Sequence, residues 1–137
     1  MKRKPLVVVA GSLNMDLVMG TECLPIKGQT VQGEGFHSTP GGKGANQAVA
    51  AARLGADVRM VGRVGSDAHG RELLTSLTNE GIDVSGVSID PKHPTGVALI
   101  TVDKFGDNTI VIEKGKDCYI AAMTYGLPSS EFRSAVK

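Results

Sequence analysis

Residues 41–55 read Gly41-Gly42-Lys43-Gly44-Ala45-Asn46-Gln47-Ala48-Val49-Ala50-Ala51-Ala52-Arg53-Leu54-Gly55. Ala45, Ala48, Val49 and Ala52 recur at i, i+3, i+4 and i+7, which predicts a helix over about 41–54 with one narrow apolar face. Gly55 follows as its stop. Small residues on that face let a helix lie close to a sheet, and the flanking sequence supplies one. Leu6-Val7-Val8-Val9-Ala10 on the N-terminal side is a β-branched run suited to a strand buried on both faces of a parallel sheet. Asp57 to Gly62, with Val58, Met60 and Val61, reads as a second such strand.

Further out, Asp67 is placed to N-cap a second helix carrying Leu73, Leu74 and Leu77 and stopped by Gly81. The succession of strand, helix, strand and helix predicts an α/β fold with a parallel sheet and flanking helices. Two regions do not fit that rhythm. Met15–Gly20 and Thr30–Ser38 are extended stretches punctuated by Pro25, Gly28, Gly33 and Gly35, which predicts short exposed strands. Thr95–Val102 alternates, with Val97 and Leu99 on one face and Ala98, Ile100 and Val102 on the other. It turns at Lys104-Phe105-Gly106-Asp107 and returns over Thr109–Glu113 as a hairpin. The expectation is therefore a main sheet plus a small β-sheet lid.

The 137 residues include 41% apolar and 21% charged side chains with a formal net charge of +1, the balance of a globular domain. The one basic cluster, Lys2-Arg3-Lys4, is a solvated terminus rather than a nucleic-acid footprint. No apolar run reaches the roughly 20 residues needed to cross a bilayer, and no signal-peptide pattern is present. Cys23 and Cys118 form no metal or disulfide pattern, and His37, His69 and His93 have no ligand spacing. These features predict a cytoplasmic protein without a nucleic-acid or membrane partner.

The glycine-rich start of the first helix is the strongest chemical signal. Glycines let backbone approach a ligand, and the free N–H groups of a helix start point into the same space. Lys43 and Asn46, at i and i+3, share a face and offer an ammonium and a carboxamide to hydroxyl groups. The same pattern also suits a plain turn before a structural helix. Two phosphate-loop readings fail: no Ser or Thr follows Lys43, and Gln47 stands where a dinucleotide fingerprint needs a third glycine. Asn14 and Asp16, at i and i+2 after the first strand, point to one side and suit either a polyol or an Asx-turn.

Together these segments resemble the ribokinase-like (PfkB-type) carbohydrate kinases. Residues 41–55 are similar to that family's first signature along their whole length. Gly11-Ser12-Leu13-Asn14-Met15-Asp16, Gly62-Arg63-Val64-Gly65-Ser66-Asp67-Ala68-His69-Gly70 and Thr95-Gly96-Val97-Ala98 support it. The resemblance runs over about residues 5–113. It implies an α/β ribokinase-like sheet, here incomplete, with lid strands at about 15–38 and 95–113. Residues 1–113 would form the N-terminal part of that domain, and 114–137 a divergent tail.

The resemblance also implies roles. Asn14, Asp16, Gly42, Lys43 and Asn46 would bind sugar hydroxyls, and Ala98, Ile100 and Ile112 would line the apolar side. The reaction would transfer the γ-phosphoryl group of Mg-ATP to the 5-hydroxyl of D-ribose, with potassium as a monovalent cofactor. The lid would close over the sugar and pair two subunits as a homodimer. The family's catalytic base lies in a late Gly-Ala-Gly-Asp segment that this sequence lacks, and its nucleotide and cation sites are late as well. No catalytic or cofactor-binding residue is therefore expected in this chain, which looks like a truncated, frameshifted or spliced product, inactive alone. The alternatives are a non-catalytic sugar-binding or dimerising module derived from such a kinase, and an unrelated nucleotide-binding α/β protein.

Overall fold

The computed structural model describes residues 4–115. Nine elements follow one another: β1 (Leu6–Ala10), β2 (Asn14–Thr21), β3 (Gly33–Gly41), α1 (Lys43–Arg53), β4 (Asp57–Gly65), α2 (Ala68–Asn79), β5 (Asp83–Asp90), β6 (Gly96–Asp103) and β7 (Asn108–Glu113). They form two sheets: a three-stranded parallel sheet in the order β1-β4-β5 and a four-stranded sheet in the order β3-β2-β6-β7. The divergent tail from residue 116 on, with Cys118, lies outside the described residues.

Alternation in β4 decides where the core sits. Val58, Met60 and Val64 are buried while Asp57 and Arg59 on the opposite face are exposed. The buried set joins Val9, Ala45, Ala48, Leu73, Leu77 and Ile82 in one cluster, so α1 and α2 cover the same face of the sheet. The helices lie side by side, with Arg53 Nε donating to Glu80 Oε2 at 2.9 Å near their C-terminal ends. Both stop where the sequence says: Gly55 and Gly81 take positive φ of 92° and 76°. Asp67 caps α2 by accepting from the Gly70 N–H at 2.9 Å.

One expectation needs correction, and two features were not anticipated. β1 is not buried on both faces: Leu6 is 44% exposed and Ala10 exposed, because the helices among the described residues cover one side only. Residues 83–90, which carry no clear run or alternation, form the edge strand β5. The small sheet is mixed, with β2 and β6 paired in parallel through Asn14↔Gly96 to Thr21↔Asp103. The reason is topological: both strands leave the same, C-terminal, end of the parallel sheet, after β1 and after β5 respectively.

The flanking partners β3 and β7 are antiparallel. Pro40, inside β3, is tolerated because β3 is an edge strand. The β6–β7 turn is closed by Asp103, whose Oδ1 accepts from the Phe105 and Asp107 N–H groups at 2.9 and 3.0 Å.

Candidate functional site

The four-stranded sheet stands over the start of α1, and between them lies a cavity of about 360 Å³, within the range of roughly 300–1,000 Å³ usual for small-molecule sites. All eight residues singled out in the sequence line it. Asn14 and Asp16 come from β2, Gly42, Lys43 and Asn46 from the start of α1, and Ala98, Ile100 and Ile112 from the β6–β7 hairpin. Ser12, Ile110 and Lys114 complete the wall and were not anticipated. Ile110 was open to inference, since it is the cross-strand partner of Ile100 on the alternation that places Ile112 opposite Ala98.

The site is divided by chemistry. One side carries a carboxylate, two carboxamides and an ammonium; the other is an aliphatic wall. The i, i+2 spacing of Asn14 and Asp16 works because β2 is extended, and the i, i+3 spacing of Lys43 and Asn46 because α1 has begun by then. Burial pushes the Asp16 carboxyl above its ordinary value of 3.8. A desolvated carboxylate that faces a cavity is an acceptor looking for donors, and a sugar's hydroxyl groups are such donors.

The glycines also have a packing role that was not anticipated. A Cβ on Gly41 would overlap the Asp16 carboxylate. One on Gly42 would fall 2.6 Å from the Ser12 carbonyl oxygen, and one on Gly44 2.6 Å from the Gly11 carbonyl carbon. The missing side chains thus admit the protein's own chain: they let the β1–β2 loop and α1 touch backbone to backbone. Gly42 also holds φ at 97°, a conformation that favours glycine. The helix start is not wholly free either, because the Ala45 N–H donates to Ser12 O at 3.1 Å.

The cleft, polar on one side and apolar on the other, lies between the parallel α/β unit and the small β-sheet. The chain belongs to the pfkB family of carbohydrate kinases, whose family model matches residues 4–130. Among curated relatives it is similar to the ribokinase of Schizosaccharomyces pombe, 49% identical over 115 residues, and to that of Bacillus subtilis, 47% identical over 109. Each match covers 80% of this chain but 36% and 37% of the relative, so the chain spans about a third of their length. Among solved structures, the ribokinase of Cryptococcus neoformans in complex with ADP superposes with a TM-score of 0.75 at 33% identity, covering 82% of this chain and 35% of that one. The Arabidopsis thaliana ribokinase complexed with ribose and ATP gives 0.70 at 38%, covering 83% and 37%. The fold is that of the ribokinases.

Proposed function

We propose that these residues form the sugar-binding and lid part of a ribokinase, which transfers the γ-phosphoryl group of Mg-ATP to the 5-hydroxyl of D-ribose. The observation that carries this reading is the convergence of Asn14, Asp16, Lys43 and Asn46 on one side of a cavity whose other side is Ala98, Ile100, Ile110 and Ile112. In it, the Asp16 carboxylate accepts from sugar hydroxyls, the two carboxamides both donate and accept, and Lys43 donates. The aliphatic wall packs on the C–H face of the ring. Ribose is favoured because ribokinases are the relatives at 35–49% identity and one superposed ribokinase holds ribose.

Phosphoryl transfer depends on positioning and on excluding water as a competing acceptor. The present residues supply the first by their polar contacts and the second by the overlying sheet. The 137 residues contain no Gly-Ala-Gly-Asp segment to supply a base. Among the described residues no group of three or more His, Cys, Asp or Glu side chains is placed to hold a metal ion. We assign the nucleotide and both cations to family segments other than the described ones. The 137 residues alone therefore bind sugar without turning it over. We place the protein in the cytoplasm.

We further propose a homodimer through the small sheet, supported by Leu99 and Val111, cross-strand partners that are 55% and 68% exposed on the face away from the cavity. Leu99→Asp would then shift the mass measured by light scattering from dimer to monomer, and an unchanged mass would refute it. The functional test is calorimetric titration of the purified chain with D-ribose, followed by an ADP-release assay with Mg-ATP and potassium. Saturable ribose binding without ADP release is the expected result. A folded chain that binds no ribose would overturn the sugar reading, and sustained ribose-dependent ADP release would overturn the assignment of the base elsewhere.

A further inference from the structure

Two of the sequence motifs, residues 62–70 and 95–98, contribute only Ala98 to the cavity wall, yet the fold brings them together. Thr95 stands at the root of β6 and is 2% exposed. Its hydroxyl donates to Asp67 Oδ1 at 2.7 Å and accepts from the Gly65 N–H at 2.9 Å. Its own N–H donates to Asp67 Oδ2 at 2.8 Å. Asp67 Oδ1 also accepts from the Gly70 N–H to cap α2. The end of β4, the start of α2 and the start of β6 thus meet on one carboxylate. Room for this junction is made by glycine: a Cβ on Gly65 would fall 2.6 Å from the Thr95 nitrogen, and one on Gly70 2.9 Å from its hydroxyl oxygen. Burial alone would raise the Asp67 carboxyl, but the hydrogen bonds from Thr95 and Gly70 outweigh it and hold the group below its ordinary value.

The residue after Thr95 connects this junction to the site. Gly96 is the register partner of Asn14, and a Cβ on it would overlap the Asn14 side-chain oxygen. Two and four residues further along β6 stand Ala98 and Ile100, the apolar wall. We propose that Asp67 and Thr95 are positioning residues for the cavity: by fixing the root of β6 they set the separation between Asn14 and the wall of Ala98 and Ile100. The effect on sugar affinity rests on the ribose reading above; the effect on cavity geometry does not.

The test uses the full chain labelled at isoleucine methyl groups and at side-chain amides, in four variants. Thr95→Val removes the hydroxyl and keeps the shape, Thr95→Ser keeps the hydroxyl, Asp67→Asn removes one acceptor, and Arg53→Ala breaks the exposed ion pair at the far ends of the helices. Thr95→Val and Asp67→Asn are expected to shift the Ile100 methyl and Asn14 amide resonances and to weaken D-ribose binding about tenfold, the loss of one hydrogen bond to a charged group. Thr95→Ser and Arg53→Ala are expected to match the wild type in both. Should Thr95→Val fail to fold, Asp67→Asn, which keeps an acceptor for the Gly70 N–H, decides the matter. Folded variants with unmoved resonances overturn the proposal whether or not ribose binds, as does a Thr95→Ser variant that shifts as far as Thr95→Val. If resonances move as expected but the wild type binds no ribose, the positioning role stands and the ribose reading falls.

Discussion

Asp16→Asn separates binding from stability in opposite directions. The substitution is isosteric, and the space that Gly41 leaves for the carboxylate accepts an amide equally. In the proposed complex the carboxylate accepts from two sugar hydroxyls. Hydrogen bonds to a charged group contribute about 1.5–3 kcal/mol each and neutral ones about 0.5–1.5. Losing the charge on two of them therefore removes about 2–3 kcal/mol, or roughly 30- to 150-fold in Kd. Stability moves the other way. Because burial raises the folded-state pKa of Asp16, the folded chain holds this proton at pH values where the unfolded chain has released it. The contribution of the group is fully present below the ordinary value of 3.8 and lost as pH rises through the raised folded value. At neutral pH an ionised, part-buried carboxylate is a fixed destabilisation that asparagine removes. Calorimetry with D-ribose and thermal unfolding at pH 7 and pH 3 measure both. The expected result is weakened binding with a higher unfolding midpoint at pH 7 and near-equal midpoints at pH 3. Ribose affinity within twofold of wild type, or a lower midpoint at pH 7, would refute the reasoning.

Gly44→Ala places a Cβ against the Gly11 backbone and is expected to destabilise by about 1–3 kcal/mol or more in urea unfolding, since backbone yields less than a side-chain tip. Leu73→Ala empties a fully buried position between α2 and the sheet and should lower stability by about 2–5 kcal/mol in the same assay. Asp90 pairs with Arg63 and His93 and accepts from the backbone N–H groups of Lys92 and His93; the Lys92 N–H foremost, together with the hydrogen bonds and charge of His93, outweighs desolvation and lowers it to about 2. Its contribution is present above about 3.8 and lost as pH falls toward 2, so Asp90→Asn should flatten the acid limb of a pH-stability profile, with little change in slope between pH 5 and 7.

How much the sequence discloses follows from how local each signal is. The alanine repeat of α1, the Asp67 cap, the two glycine stops and the Lys104–Asp107 turn are decided within a few residues, and each stands where its local chemistry puts it. β5 was illegible because an edge strand with one half-solvated face selects weakly for apolar residues, and Ser85, Gly86 and Ser88 dilute the pattern. The parallel pairing of β2 with β6 joins segments about 80 residues apart and has no local signature. Asn14 with Asp16, and Lys43 with Asn46, were legible as pairs because their spacings convert into shared faces of a strand and a helix; that these four, Gly42, Ala98, Ile100 and Ile112 line one cavity followed from the family resemblance, not from spacing. Ser12 and Lys114 were missed because they lie in connecting segments, where spacing predicts no direction. Glycines 41, 42 and 44 were found, but their reason was not: the chain they make room for is distant in sequence.

The four-stranded sheet takes its origin from a single row. Gly41, Asn14 and Gly96 are side-by-side register partners, and next to them the chain passes to α1, from β1 and from β5 respectively. A plate attached at three neighbouring points along one border can tilt about that border but cannot slide or spin within its own plane. Asn14 sits on the axis of such a tilt and hardly moves with it. Asp16 sits farther out, and the register partners Ile100 and Ile110 farther still, so they sweep larger arcs. A ligand would thus be gripped first at a stationary point and measured afterwards by the moving ones, so the outer residues, rather than Asn14, are the ones through which the size of the ligand is felt.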